Sequence, residues 1–271
     1  MQVKFTEKSR LPALSETVNS VIMLFNKGNV DIKKLEAILV KDPGLSSQVL
    51  KIANSPFFGF SGKISSIKEA CMIVGLSSIY NLVTAIGVMD QFQSSTGKLN
   101  FKKFWQHAFA KGVATQIIAE TCNIDEPSAF ITGLLRDVGK IMLDTYFPDT
   151  HEEISRFQEE HNCAYEKSHL KILDKSDVQI SAHILSYWRL PQVVITAIEQ
   201  QGDMEKIAES DLACALHLAD FMVKGLGIGN NGGNYIVNFS VPALNAMGLD
   251  YLKIEEILGS VDETVSENQF I

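Results

Sequence analysis

Apolar residues recur along most of this chain at intervals of three and four, the spacing of one face of an α-helix. Over residues 11–27 the face is Leu14, Val18, Val21, Ile22 and Phe25. Asp31 reads as the N-cap of a helix over 32–40 with Leu35, Ile38 and Leu39 turned inward. "KDPG" stops that pattern, because the residue before a proline is pushed out of helical geometry. A short helix is predicted over 45–53, then a turn-rich, aromatic stretch, "NSPFFGFSGKIS". Ser66 and Glu69 have the spacing of a capping box and predict a helix through residue 74, stopped by Gly75. Another follows over 77–92. A long helix is predicted over 101–123, with Trp105, Phe109, Val113, Ile117 and Ile118 on its apolar face. Pro127 suits a first helical turn and opens a helix read as continuous over 127–147. Further helices are expected over 149–161, 164–173, 177–190, 192–201, 211–226, 241–246 and 251–261. The run "YIVNFSV" (residues 235–241) alternates only weakly and is read as extended loop.

The expected class is therefore all-α. The polar, glycine-bearing stretch "QSSTGKLN" (residues 93–100) is the best candidate boundary. It divides an N-terminal helical unit, 1–93, from a helical core, 94–225. Residues 226–271 are read as a Gly/Asn-rich loop and C-terminal helices packed on that core. Two glycine patterns are set aside. Gly97-Lys98 lacks the earlier glycine of a phosphate-binding loop. "GIGNNG" (residues 227–232) follows a helix rather than a strand, so it is read as a flexible loop and not a dinucleotide turn.

Composition narrows the function classes. Hydrophobic residues at 46% and charged residues at 21% suit a packed globular chain. A formal net charge of −8 argues against a nucleic-acid partner, since phosphate contacts need clustered Lys and Arg. Cys71, Cys122, Cys163 and Cys214 are widely spaced, with no zinc-ribbon or dithiol pattern, and are read as free thiols in a reducing compartment. The start of the sequence has no apolar signal-peptide core, and no uncharged apolar run is long enough for a membrane span. A cytoplasmic location without membrane contact is expected.

Several segments then fall in a recognisable order: "LPAL" from residue 11, "VKDPGLSSQVLKIANSPFFG" from 40, "ISSIKEACMIVGL" from 64, "FWQHAFAKGVATQIIAE" from 104, "AFITGLLRDVGKIML" from 129 and "SAHILSYWRLP" from 181. Together they resemble the HDOD (HD-related output domain) family, a divergent branch of the HD phosphohydrolases, over roughly residues 8 to 225. The resemblance implies an N-terminal helical subdomain packed on an HD-like core. It also implies a regulatory or output role in bacterial signalling.

The resemblance further locates the positions where catalytic HD relatives hold a metal. His107 matches the first ligand and Asp137 the aspartate of the His-Asp pair. Arg136 stands where that pair has its histidine, and a guanidinium offers no lone pair to a metal. The next expected histidine falls at Asp177, and the frequent His-His pair falls at Gln200-Gln201. His183, nearby, would face another side of its helix. Asp220 matches the closing carboxylate more loosely, with His217 three residues before it on the same face. His107 is either a relic ligand or a helix histidine paired with a carboxylate, and His217 and Asp220 either belong to a polar cluster or simply hydrogen-bond each other.

This inventory leads us to expect no catalytic residue, no resident metal and no cofactor, with weak Mg²⁺ or Mn²⁺ binding as the most it could offer. Arg136 is expected near the old metal position, paired with Asp137 or Asp220 in place of a dication. The expected function is a non-catalytic regulatory module that contacts another signalling protein or a small ligand. The alternative is a phosphohydrolase with an atypical ligand set. The Phe57-Phe58 turn is either a contact surface or packing between subdomains.

Overall fold

In the computed structural model the described residues are 11–28, 30–60, 62–93, 97–163, 165–232 and 239–268. They form helices and connecting turns, with no strand among them. Most of the weak run at 235–241 and the middle of the 93–100 stretch lie outside the described residues.

The N-terminal helices begin at side-chain caps. Ser15 caps α1 (Glu16–Asn26), and Asp31 caps α2 (Ile32–Leu39) by accepting from Lys33 N. "KDPG" does more than end α2. Asp42 accepts from Leu45 N and starts α3 (Pro43–Ala53), with Pro43 in the first turn where its missing N–H costs nothing. Ser66 caps α4 (Ile67–Ile73), while the Glu69 carboxylate turns back to Ser65 N and Oγ. Gly75, at φ 89°, makes the sharp entry to α5 (Leu76–Asp90) that a side-chain-bearing residue would resist. Asn54 closes the intervening loop, accepting from Ile64 N and donating to the Ile64 carbonyl at 2.8 and 2.9 Å.

The second half is built on α6 (Phe101–Thr121), whose buried face runs from Phe104 to Ala119. The helix expected over 127–147 is in fact two, α7 (Ala129–Leu135) and α8 (Val138–Tyr146). They meet at Asp137, whose φ −96° and ψ 10° leave the helical region. The remaining helices are α9 (Pro148–His161), α10 (Tyr165–Leu173), α11 (Asp177–Tyr187), α12 (Gln192–Gln201), α13 (Asp211–Gly225), α14 (Val241–Met247) and α15 (Tyr251–Glu267). α15 continues past the expected end at residue 261 because Val261 is fully buried and the pattern runs on through Val265.

One apolar cluster runs from Leu11 and Val18 through Val83, Phe109 and Leu135 to Trp188 and Leu216, so the first five helices share a core with those that follow. The chain ends of that core are pinned by two long-range bonds. Trp188 Nε1 donates to the Pro12 carbonyl at 2.8 Å, and Asn26 Nδ2 donates to the Arg189 carbonyl at 2.8 Å. A second cluster joins α6, α13, α14 and α15. The aromatic turn belongs to the packing: Phe57 lies 5.7 Å from Phe109 and 5.6 Å from Phe130 by ring centroids, and its N–H is held by Asn268. Phe58 is half-buried against Phe57, while Phe60 is exposed. The four cysteines are free thiols.

α6 and α7 approach closely because glycines line their contact. A Cβ on Gly133 would fall 2.5 Å from the Lys111 carbonyl and 2.5 Å from Thr115 Oγ1, backbone and short side chain that cannot swing away. That approach brings Lys111 of α6 alongside the residues that follow α7. Gly133→Ala is expected to lower stability by about 1–3 kcal/mol through overpacking, read as a lower midpoint in urea unfolding followed by circular dichroism. An unchanged midpoint would mean that the two helices do not meet as described.

Candidate functional site

Three buried carboxylates and four cations meet where α6, α8, α11 and α13 converge. Asp137 stands at the break between α7 and α8, Asp177 opens α11 and Asp220 lies in the middle of α13. All three are at most 4% exposed. An isolated carboxylate at such a depth would be neutralised by protonation unless cations held it charged.

The cations are Lys111, Arg136, Lys140 and Lys224. Lys111, completely buried on α6, forms ion pairs with Asp137 Oδ2 and, at 2.6 Å, with Asp220 Oδ1. Arg136 reaches Asp137 Oδ1 at 2.6 Å with one terminal nitrogen and pairs with Asp177 through the same nitrogen. Its Nε donates to Gln201 Oε1 at 2.8 Å. Lys140 lies 2.9 Å from Asp137 Oδ1 and 3.6 Å from Asp177 Oδ2. Lys224, one turn after Asp220, donates to its Oδ2 at 2.9 Å. The amide of Asn231 donates to Asp137 Oδ2, also at 2.9 Å.

The charges respond accordingly. Burial acts to raise the Asp137 carboxyl, but Lys111, Lys140 and Arg136 together hold it well below the usual carboxylate range. The same contest at Asp220 is won by Lys111 and Lys224, and at Asp177 by Arg136 and Lys140. Burial opposes the Arg136 charge, and Asp177 and Asp137 more than offset it. Lys224 is pushed down, first by burial and then by Lys140, Lys111 and Arg136, despite its bond to Asp220. That direction fits four cations facing three carboxylates.

His107 is one turn before Lys111 on α6. Its Nδ1 lies 2.9 Å from the Ile228 carbonyl, a contact that assigns the ring proton to Nδ1. Nε2 then faces Asp220 Oδ1 at 3.9 Å with no hydrogen-bond partner. Burial and the nearby Lys111 ammonium keep the imidazole neutral. One ligand atom each from His107, Asp137 and Asp220 lie within 4.8 Å of one another.

The glycine pattern expected to be a flexible loop is instead part of this site. Ile228 accepts from His107, Asn230 N donates to the Lys103 carbonyl at 2.9 Å, and Asn231 reaches Asp137. Gly229 has φ 66°, and a Cβ there would meet the Lys103 carbonyl at 2.4 Å and His107 N at 2.5 Å. Glycine thus lets the loop lie directly on α6.

Arg136 forms the expected pair with Asp137, and two alternatives left open by the sequence are not taken. Arg136 pairs with Asp137 and Asp177 but not with Asp220, whose cations come from α6 and from α13 itself. His217 does not bond Asp220. Its Nε2 accepts the Ser240 N–H at 3.0 Å and so ties α13 to the start of α14. Gln201 serves Arg136, and His183 is half-buried on α11. Lys111, Lys140, Lys224 and Asn231 were not anticipated. The available signal was Lys111 itself, a lysine four residues after His107 on the apolar face of a buried helix.

The family model for the HDOD domain matches residues 11–204. The chain belongs to the HDOD family. Among solved structures, an HDOD domain protein of Geobacter sulfurreducens superposes with TM-score 0.82 at 20% identity, covering 97% of this chain and 94% of the other. A Shewanella amazonensis protein named as a candidate phosphohydrolase gives 0.78 at 20% identity, with coverage of 95% and 93%. A Marinobacter aquaeolei protein named as a candidate signal transduction protein gives 0.76 at 22%, with coverage of 95% and 58%. At these identities the likeness establishes the all-helical fold. A Treponema pallidum protein named only as uncharacterized is 24% identical over 190 residues, 69% of this chain and 37% of its own length. The HDOD chain thus spans little more than a third of that relative. No helix among the described residues is long and apolar enough to cross a membrane.

Beside the carboxylates, the Tyr165 and His169 rings of α10 lie 4.4 Å apart by centroids and tilted by 46°, with the His169 ring fully buried. Burial pushes the His169 imidazole down to about 3, Asp177 opposing and Lys140 adding to the shift. An unfolded histidine titrates near about 6.5. Below that pH the unfolded chain takes up a proton that the folded chain refuses. Stability present at neutral pH is therefore lost as pH falls from about 6.5 toward 3. His107, His151 and His217 are shifted in the same direction, each first by burial. Urea unfolding between about pH 6 and pH 4 should show His169→Phe shallower than the parent by about 1.4 kcal/mol per pH unit, the contribution of one proton. Equal slopes would show that His169 is not held neutral by burial.

Proposed function

We propose that this HDOD chain is a non-catalytic regulatory module, acting through contacts with another signalling protein or a small ligand in the cytoplasm. The observation that carries the reading is Lys111, whose ammonium stands between Asp137 and Asp220. A metal-dependent phosphohydrolase needs deprotonated ligands around a cation with open positions for water and substrate. His107, Asp137 and Asp220 have suitable donor chemistry on their own. With Lys111 between the two carboxylates, a dication there would stand within a few ångströms of an ammonium. Like unit charges 4 Å apart repel by roughly 4 kcal/mol at an effective dielectric of about 20, and a dication doubles that. The residues present therefore do not fit a resident divalent metal.

Other features support the same reading. Arg136 has no lone pair to offer, and its Nε and one terminal nitrogen are committed to Gln201, Asp137 and Asp177. The Marinobacter relative of the same fold is named for signal transduction. The second reading, a phosphohydrolase with an unusual ligand set, is favoured by one observation, the close approach of donor atoms from His107, Asp137 and Asp220.

Hydrolysis of a generic phosphodiester in the presence of Mn²⁺, Mg²⁺ or Fe²⁺ separates the two. The expected result is turnover indistinguishable from buffer. Metal-dependent turnover that disappears in Asp137→Ala would establish the hydrolase reading instead.

A further inference from the structure

We infer that the hollow between the end of α3, the aromatic turn and the end of α15 is a binding site for a free apolar α-amino acid, of the size of phenylalanine or leucine. The inference rests on the regulatory reading, to which it adds the class of small ligand.

The hollow has a volume of about 250 Å³. One wall is α3, where Gln48, Lys51 and Ile52 recur at three and four residues and so share a face. The floor is the buried Phe109 of α6, with Phe57 and Ile52 half-buried beside it. The Phe57 and Phe109 rings are inclined by 60° and form an aromatic cleft for an apolar side chain. The far wall is the end of α15, at Glu267 and Asn268. These walls are fixed to one another. Asn268 Oδ1 accepts the Phe57 N–H at 2.8 Å, and its Nδ2 donates to the Thr264 carbonyl at 2.7 Å. A hollow formed in advance spares a ligand the cost of ordering it. Ligand sites combine an apolar lining with a few polar groups, and those for drug-sized molecules measure roughly 300–1,000 Å³. This smaller one suits a molecule of amino-acid size.

The charges at the rim select the ligand further. Lys51 and Glu267 both line the hollow and are exposed, and neither forms an ion pair with another described residue. Lys51 stands in the last turn of α3, where the negative end of the helix favours a cation. Glu267 closes α15, whose last turn holds no basic residue, so its carboxylate adds to a negative helix end. The two sides of the rim therefore differ in sign. An α-carboxylate is drawn to Lys51 and an α-ammonium to Glu267, with the apolar side chain lowered onto Phe57 and Phe109. A neutral molecule would leave both charges unused. A simple anion or cation would meet one attractive and one repulsive group. A zwitterion with an apolar side chain satisfies the whole lining, and it would bridge α3 and α15 from opposite ends of the sequence.

Isothermal titration of the full chain with L-phenylalanine and L-leucine tests the assignment. Both should bind, and saturating phenylalanine should raise Tm by a few degrees. 3-Phenylpropionate lacks the ammonium and phenethylamine lacks the carboxylate, and each should bind about tenfold more weakly than phenylalanine. Lys51→Gln and Glu267→Gln change exposed side chains and should leave the urea midpoint unaltered. Lys51→Gln should weaken phenylalanine about tenfold without weakening phenethylamine. Glu267→Gln should weaken phenylalanine by about the same factor without weakening 3-phenylpropionate.

The inference is overturned if neither amino acid binds at millimolar concentration, if either half-molecule binds as tightly as phenylalanine, or if both variants bind phenylalanine as the parent does. Metal-dependent phosphodiester turnover would overturn the regulatory reading and leave these titrations unaffected. Failed titrations with an inactive parent overturn this inference alone.

Discussion

A charged side chain cannot remain charged inside a protein without an opposite charge beside it, and in this molecule that constraint is met on four helices at once. Asp137, Asp177 and Asp220 are each buried, and each stays ionised because lysines or the arginine lie within ion-pair distance. The compensation is shared rather than pairwise. Asp137 alone is contacted by Lys111, Arg136 and Lys140. Lys111 in turn serves Asp137 and Asp220. Removing one member leaves at least one partner buried and short of a counter-charge, which typically costs several kcal/mol. The site is therefore retained or lost as a unit.

The backbone is arranged to permit this. Gly112 and Gly133 let α6 and α7 approach closely, with Lys111 directly before Gly112 on α6 and its carbonyl against Gly133. The break at Asp137 then matters, because a continuous helix would carry residues 136 and 137 about 100° apart around a single axis. The non-helical ψ of Asp137 lets both side chains enter the same cluster, where Arg136 binds the neighbouring carboxylate directly. The loop at residues 227–232 completes the enclosure through Ile228 and Asn231, which is possible because Gly229 accepts a positive φ against the backbone of α6.

Much of the fold could be read from local rules. Asp31, Ser66 and the periodicity of 101–123 or 192–201 lead to the observed helices because caps and apolar faces are determined within a few residues. The site was legible only where a resemblance marked it. His107, Arg136, Asp137, Asp177 and Asp220 do converge on one region, yet their partners were largely missed. Lys111 looks like an interruption of an apolar helix face until α8 and α13 supply its two carboxylates. Likewise, "GIGNNG" has no intrinsic preference that distinguishes a free loop from one docked on α6. Both errors have the same origin. The carboxylates that Lys111 serves and the groups on which the loop docks lie more than twenty positions away, and no local pattern carries that information.

The network of buried ion pairs also bears on how the regulatory module proposed above would transmit a signal. Sliding α6, α8, α11 or α13 by even 1–2 Å, the scale of many regulatory helix shifts, would stretch several buried ion pairs together. In a low-dielectric interior those contacts weaken without water to replace them. The helices that carry the charges are thus poor candidates for the moving parts. The elements that lie outside the ion-pair network, α2, α4, α14 and α15 among them, are held mainly by apolar packing and caps. Apolar contacts are non-directional and tolerate small displacements better than ion pairs do. A stiff charged centre with compliant outer helices suits the proposed regulatory reading, in which recognition takes place at the surface. That is the mechanical counterpart of an ammonium standing among the carboxylates.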